Sequence, residues 1–134
     1  MRIISLIALL SCPLLAAAQL AVTVSPPKVV GQKAVVPLAM KNDFTEKVES
    51  ARAVVFLLDE QGKMVGQSTK WVIGGSQDKP GLVAGATSSF HFVIATRKWF
   101  TTTNLTANVT FIRVVLASGK LADIAKDVHL TVPK

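Results

Sequence analysis

His91 and His129 are the only imidazoles in the chain, and eight scattered Asp and Glu side chains and the single cysteine Cys12 are its other candidate metal ligands. A transition-metal site needs three or four converging ligands. Neither histidine has a His or Cys nearby in sequence, so a two-histidine site would require the fold to join them beside a carboxylate. Both are expected to point outward from strands. A serine hydrolase places its nucleophile on a strained strand-to-helix turn of the Gly-x-Ser-x-Gly kind. Gly74-Gly75-Ser76 lies in a loop with no helical pattern after it. Asp59 and Glu60 could offer oxygens to calcium, but the alternating acidic spacing of a calcium loop is missing. Asp59-Glu60-Gln61-Gly62 reads as a turn instead, with Asp and Gly suited to bending the backbone. Asp123 and Asp127, four apart, read as solvated charges. The sequence thus predicts a protein that is not an enzyme, with no cofactor and no metal.

Arg97-Lys98-Trp99-Phe100 is the most distinctive local cluster. Two cations beside two aromatics can engage an anionic membrane surface, stack on a sugar or anchor a protein. The same residues suit a crossover in which Trp99 and Phe100 plug one end of the domain and the charges stay wet. Asn104-Leu105-Thr106 and Asn108-Val109-Thr110 match the glycan-acceptor pattern, which has meaning only in a eukaryotic secretory route.

Met1-Arg2, an apolar run from Ile3 to Leu15 and Ala16-Ala17-Ala18 before Gln19 have the layout of a secretory signal. As a helix the run would reach only about 20 Å, short of the ~30 Å hydrocarbon core. Pro13 near its end favours a break before the cleavage site. Residues 1–18 are therefore expected to be removed near Ala18-Gln19, leaving 19–134 as one secreted or periplasmic domain. Ser11-Cys12 loosely resembles a lipid-attachment site, but Leu10 and the short preceding stretch fit it poorly. Cys12 is expected to leave with the signal.

The sequence holds 15 Lys and Arg against 8 Asp and Glu, a formal net charge of +7. Loss of Arg2 would leave +6, spread singly with no run of three. That suits a soluble basic surface, or an anionic partner such as a membrane surface or cell-wall polymer. Export separates such a protein from most nucleic acid, so none is expected as a partner. Without cysteine the domain must be held by its core, which about 116 residues can form.

Those side chains must be positioned by strands. Short β-branched and aromatic runs alternate with Gly, Pro, Asn, Asp and Ser. Leu20 to Val24 is the first strand, ended by Ser25-Pro26-Pro27. Ala34 to Lys41 alternates, with Ala34, Val36, Leu38 and Met40 on one face. Both proline sites lack ladder donors and mark candidate sheet edges. Ala51 to Leu58 is apolar on both parities, as in a central or doubly covered strand. It leads through the Asp59–Gly62 turn into a strand over Lys63 to Ile73, where Val65, Trp71 and Ile73 share a parity. Thr87 to Thr96 points Phe90, Phe92 and Ile94 inward and Ser89, His91 and Val93 outward. Arg97 to Leu105 is a connection. Thr106 to Leu116 is apolar on both faces. Leu121, Ile124 and Val128 fit a helix, whereas Val128, Leu130 and Val132 fit a strand. The pattern predicts an all-β fold, an immunoglobulin-like antiparallel β-sandwich of about seven strands, with a small barrel as the alternative.

Met40-Lys41-Asn42-Asp43-Phe44, the segment Val54 to Asp59 continuing through Gln61-Gly62-Lys63 to Gly66, and Gly85 ahead of Phe90 and Phe92 together resemble the exported bacterial immunoglobulin-like domains of the FxLYD-like group. The resemblance spans roughly residues 34 to 95. It implies an exported β-sandwich that interacts with something, and no catalytic residues. The expected function is a non-enzymatic module binding a protein or cell-envelope partner, with strand addition at a sheet edge as one route. The alternative is a small carbohydrate- or anionic-lipid-binding protein using Arg97 to Phe100.

Overall fold

A computed structural model describes residues 20–75, 80–96, 100 and 102–132. The segment read as a signal, including Cys12, lies outside them, as do Ser76, Arg97, Lys98 and Trp99. Two sheets face each other. The first contains β1 (Leu20–Val24), β2 (Lys28–Val30), β3 (Lys33–Asn42), β6 (Thr87–Ala95) and β8 (Val128–Thr131). The second contains β4 (Val48–Leu58) between β5 (Met64–Ile73) and β7 (Thr106–Leu116). One helical turn, α1 (Ile124–Asp127), precedes β8. The architecture is an all-β sandwich, as the alternation predicted. One ladder departs from the antiparallel expectation, since β8 runs parallel to β1.

The core follows the pleat. Ala34, Val36, Leu38 and Met40 of β3 are buried and meet Leu20, Val22 and Val24 of β1 on the same inner face. On the other side of β3, Val36 is opposite Phe92 and Leu38 opposite Phe90. The rings of Phe90 and Phe92 pack edge to face, centroids 5.3 Å apart. Ala51, Ala53, Val55 and Leu57 of β4 are buried beneath them, with Phe111 and Val114 of β7. The expected inner sets of β3 and β6 therefore both occur.

The prolines interrupt the ladder between β3 and the β1–β2 flank of the first sheet. β1 and β2 are one interrupted strand along β3: Val24 pairs with Leu38 and Lys28 with Val35, so three residues face two. That is a bulge. The Ser25 amide donates to the Pro37 carbonyl at 3.0 Å, and the donor that Pro37 lacks faces the interruption made by Pro26 and Pro27. The other side of β3 is paired with β6 over its length. Pro37 is thus no free edge for strand addition. β8, by contrast, covers β1 only from Leu20 to Thr23, so the flank of Ser25-Pro26-Pro27 and β2 that faces away from β3 has no ladder partner among the described residues. The open margins belong to β2, β5, β6, β7 and β8.

Segment 80–86 closes one end of the sandwich. Leu82 exchanges both backbone hydrogen bonds with Val48 at 2.9 Å. Asn42, fully buried, donates through Nδ2 to the carbonyls of Leu82 at 2.8 Å and Glu46 at 3.0 Å. Its Oδ1 accepts from the Phe44 amide at 2.8 Å. Its backbone bonds to Ala86 and Gly85 complete the corner. A buried amide is tolerated because its donors and acceptor are engaged.

Candidate functional site

Four register shifts shape the second sheet. Arg52 pairs with Trp71 and Ala51 with Ile73, so Val72 is an extra residue in β5. Arg52 pairs with Arg113 and Ala53 with Phe111, so Ile112 is extra in β7. Glu49 is likewise extra between Val48 and Ser50 on β4. A bulge exchanges the faces of the strand beyond it. Trp71 therefore shares the outer face with Arg52, while Ile73 pairs with buried Ala51. Val65, a further extra residue of β5 between the partners of Leu57 and Leu58, packs against the core. The expectation that Val65, Trp71 and Ile73 point the same way fails at Val72.

The outer face of this sheet can be read in rows across β5, β4 and β7. Trp71, Arg52 and Arg113 form one row. Thr69, Val54 and Thr110 form the next, then Gln67, Phe56 and Asn108. Val54, Phe56 and Leu58 are half-buried and make a central apolar ridge. The Thr, Gln and Asn residues beside it are exposed.

Arg52 and Arg113 are directly opposite each other, where like charges repel. The Arg52 guanidinium lies over the Trp71 ring at 5.7 Å from its centroid. This contact attracts a cation to the ring face and holds Arg52 in place. Trp71 is itself fixed from behind. Gly75 has φ +83°, and a Cβ there would strike the Trp71 Cγ. Among the described residues, no carboxylate forms an ion pair with either arginine. Glu49, the acidic residue nearest to Arg52 in sequence, pairs with Lys47 at 3.6 Å.

The residues singled out from sequence are dispersed. His91 pairs with Pro37 on β6, and His129 with Ala21 on β8, both on the outer face of the first sheet. Three strand spacings separate β6 from β8, about 14 Å. The fold does not bring the two imidazoles together, and the described residues hold no cluster of three metal-ligating groups. Asp59 Oδ1 accepts from the Gln61 and Lys63 amides at 2.9 Å, the expected turn role. Asp123 and Asp127 do more than meet water: Asp123 accepts from the Ala125 amide at 3.1 Å, and Asp127 accepts from the Asp123 amide at 2.9 Å. Together they cap α1, because a short turn leaves its amides unpaired.

Of the cluster Arg97-Lys98-Trp99-Phe100, only Phe100 is described; it is half-buried and packs on the core. A cleft of about 400 Å³ opens between β5 and β6, lined among others by Val72, Ile73, Leu82, Ser88 and Phe90. Its hydroxyls have no imidazole, amine or carboxylate among the described lining residues.

No family model matches the chain, and no curated protein matches it. Solved structures do. A Bordetella pertussis protein designated ApaA is similar over 77% of this chain and 84% of its own, at 18% identity and a TM-score of 0.55. IrmA from Escherichia coli is similar over 85% of this chain and 92% of its own, at 11% identity and a TM-score of 0.51. At such identities the likeness shows the sandwich fold alone.

Proposed function

We propose that this chain is an exported, non-enzymatic interaction module that binds a partner in the cell envelope through the outer face of its second sheet. The observation that carries the reading is the Arg52–Arg113 pair, set side by side on an exposed face with no ion-paired carboxylate among the described residues. Cross-strand like charges cost stability. An anionic partner would relieve that cost. The surplus of cations over the whole sequence points the same way. The sequence from Met1 to Gln19 supports export, and export favours envelope material over nucleic acid. The separation of the histidines and the unassisted hydroxyls of the β5–β6 cleft support a binding role over a catalytic one.

The test is cosedimentation of the protein, without residues 1–18, with isolated envelopes at low and high salt. Binding at low salt and release near 1 M salt, where the Debye length is about 3 Å, is the expected result. Protein that stays in the supernatant at every salt concentration would refute the reading. So would turnover of a substrate that a single side-chain replacement abolishes.

A further inference from the structure

The geometry points to an acidic polysaccharide as the ligand of the Arg52–Arg113 face, with a sugar carboxylate held between the two guanidiniums and the glycan chain lying along β4. This inference rests on the reading of the chain as an envelope-binding module and names the site and ligand class. Three features of the face converge on it.

The first is the paired guanidiniums. An arginine fork matches a carboxylate with two parallel hydrogen bonds. Cross-strand Cβ atoms lie only about 5 Å apart, so both forks can reach one anion. Arg52 is already restrained by Trp71 at 5.7 Å, which reduces the side-chain freedom lost on binding.

The second is what lies beyond the arginines. A small inorganic anion would need only the charged row. Here Thr69 and Thr110, then Gln67 and Asn108, continue down both sides of β4. These are neutral hydroxyl and amide groups, donors and acceptors suited to sugar hydroxyls. The ridge of Val54, Phe56 and Leu58 between them offers apolar surface to the C–H faces of sugar rings.

The third is extent and charge. From Arg52 to Leu58 the strand runs about 20 Å, the span of a short oligosaccharide. No acidic residue occupies a position in these rows. A carboxylate-bearing chain would therefore meet no like charge among the described residues of this strip.

The test is titration calorimetry of the protein without residues 1–18 against short oligogalacturonate, with a neutral cello-oligosaccharide and polyphosphate as comparison probes. The expected result is binding of the uronate, weakened by salt, with little affinity for the neutral glycan. Arg113→Gln should lower that affinity about tenfold or more, as loss of a charged hydrogen-bond partner does, while the melting temperature holds or rises as the like-charge repulsion is relieved. Arg52→Gln should do the same, and Thr110→Val should weaken uronate binding without affecting polyphosphate.

Absence of uronate binding, equal binding of the neutral glycan, preference for polyphosphate, or unchanged affinity in both arginine variants would each overturn the inference. The double arginine variant separates the two levels of argument. If it still cosediments with envelopes as the unsubstituted protein does, this site is wrong but the module reading stands. If the unsubstituted protein never cosediments, the module reading itself has failed.

Discussion

Asn42 and Leu82, forty residues apart, are joined by a 2.8 Å hydrogen bond from the Asn42 amide to a carbonyl that also accepts the Val48 amide at 2.9 Å. One oxygen thus ties the end of β3, the start of β4 and the segment that closes the sandwich. The site on the second sheet depends on this corner indirectly, because it sets where β4 begins.

Asn42→Ala should cost about 2–3 kcal/mol, because it strips partners from two carbonyls and one amide in a place water cannot easily reach. Asn42→Asp should be worse near neutral pH, since a carboxylate would face the Leu82 and Glu46 carbonyls. Burial and those oxygens would raise its pKa above the unfolded value. The sign follows: the Asp variant should be most stable below about pH 4 and lose stability as pH rises through the raised folded pKa. Denaturant melts at acid and neutral pH measure this; an Asp variant stabler at neutral pH would contradict it.

Gly75→Ala should destabilise by about 1–2 kcal/mol more than Gly119→Ala. Both glycines have positive φ, but a Cβ at Gly75 would strike Trp71, whereas nothing lies within 4 Å of one at Gly119. Thermal melts compare the pair, and the Trp71 near-ultraviolet signal should change only in the first.

Phe92→Ala should cost about 3–5 kcal/mol, since Phe92 is fully buried beside Val36. Phe90→Ala should cost distinctly less, because Phe90 is half-buried at the rim of the β5–β6 cleft. Equal losses would show that the cleft is filled.

Zinc and EDTA should each leave the melting temperature unchanged in the protein without residues 1–18. His91 and His129 stand on separate strands of one sheet, too far apart to share an ion of about 2 Å bond length. A rise in melting temperature with zinc that His91→Ala abolishes would refute this.

Where alternation is undisturbed, the strands and their faces could be read directly. Met40 and Phe92 point inward as their spacing says, and the Asp59 turn falls where Asp and Gly mark it. Bulges defeat such reading. Val72 adds a residue without any mark in the alternation, and Trp71 turns to the other face as a result. β2, three residues long, is too short for a period to register.

The arginine pair was hidden for a different reason. Arg52 and Arg113 meet only through the β4–β7 register, which no local pattern encodes. A faint signal existed: each is the one charged residue in its run, Ala51 to Leu58 and Thr106 to Leu116. A cation set alone among β-branched neighbours belongs on an outer face, and two such strands next to each other make a pair.

The parallel ladder between β1 and β8 imposes an order on biosynthesis. Leu20 pairs with Val128, so the first described strand acquires its second neighbour only from the last described one. Contacts so distant along the chain slow folding. A nascent polypeptide halted before Val128 leaves one flank of β1 bare, and a stop codon there should yield a protein that clumps.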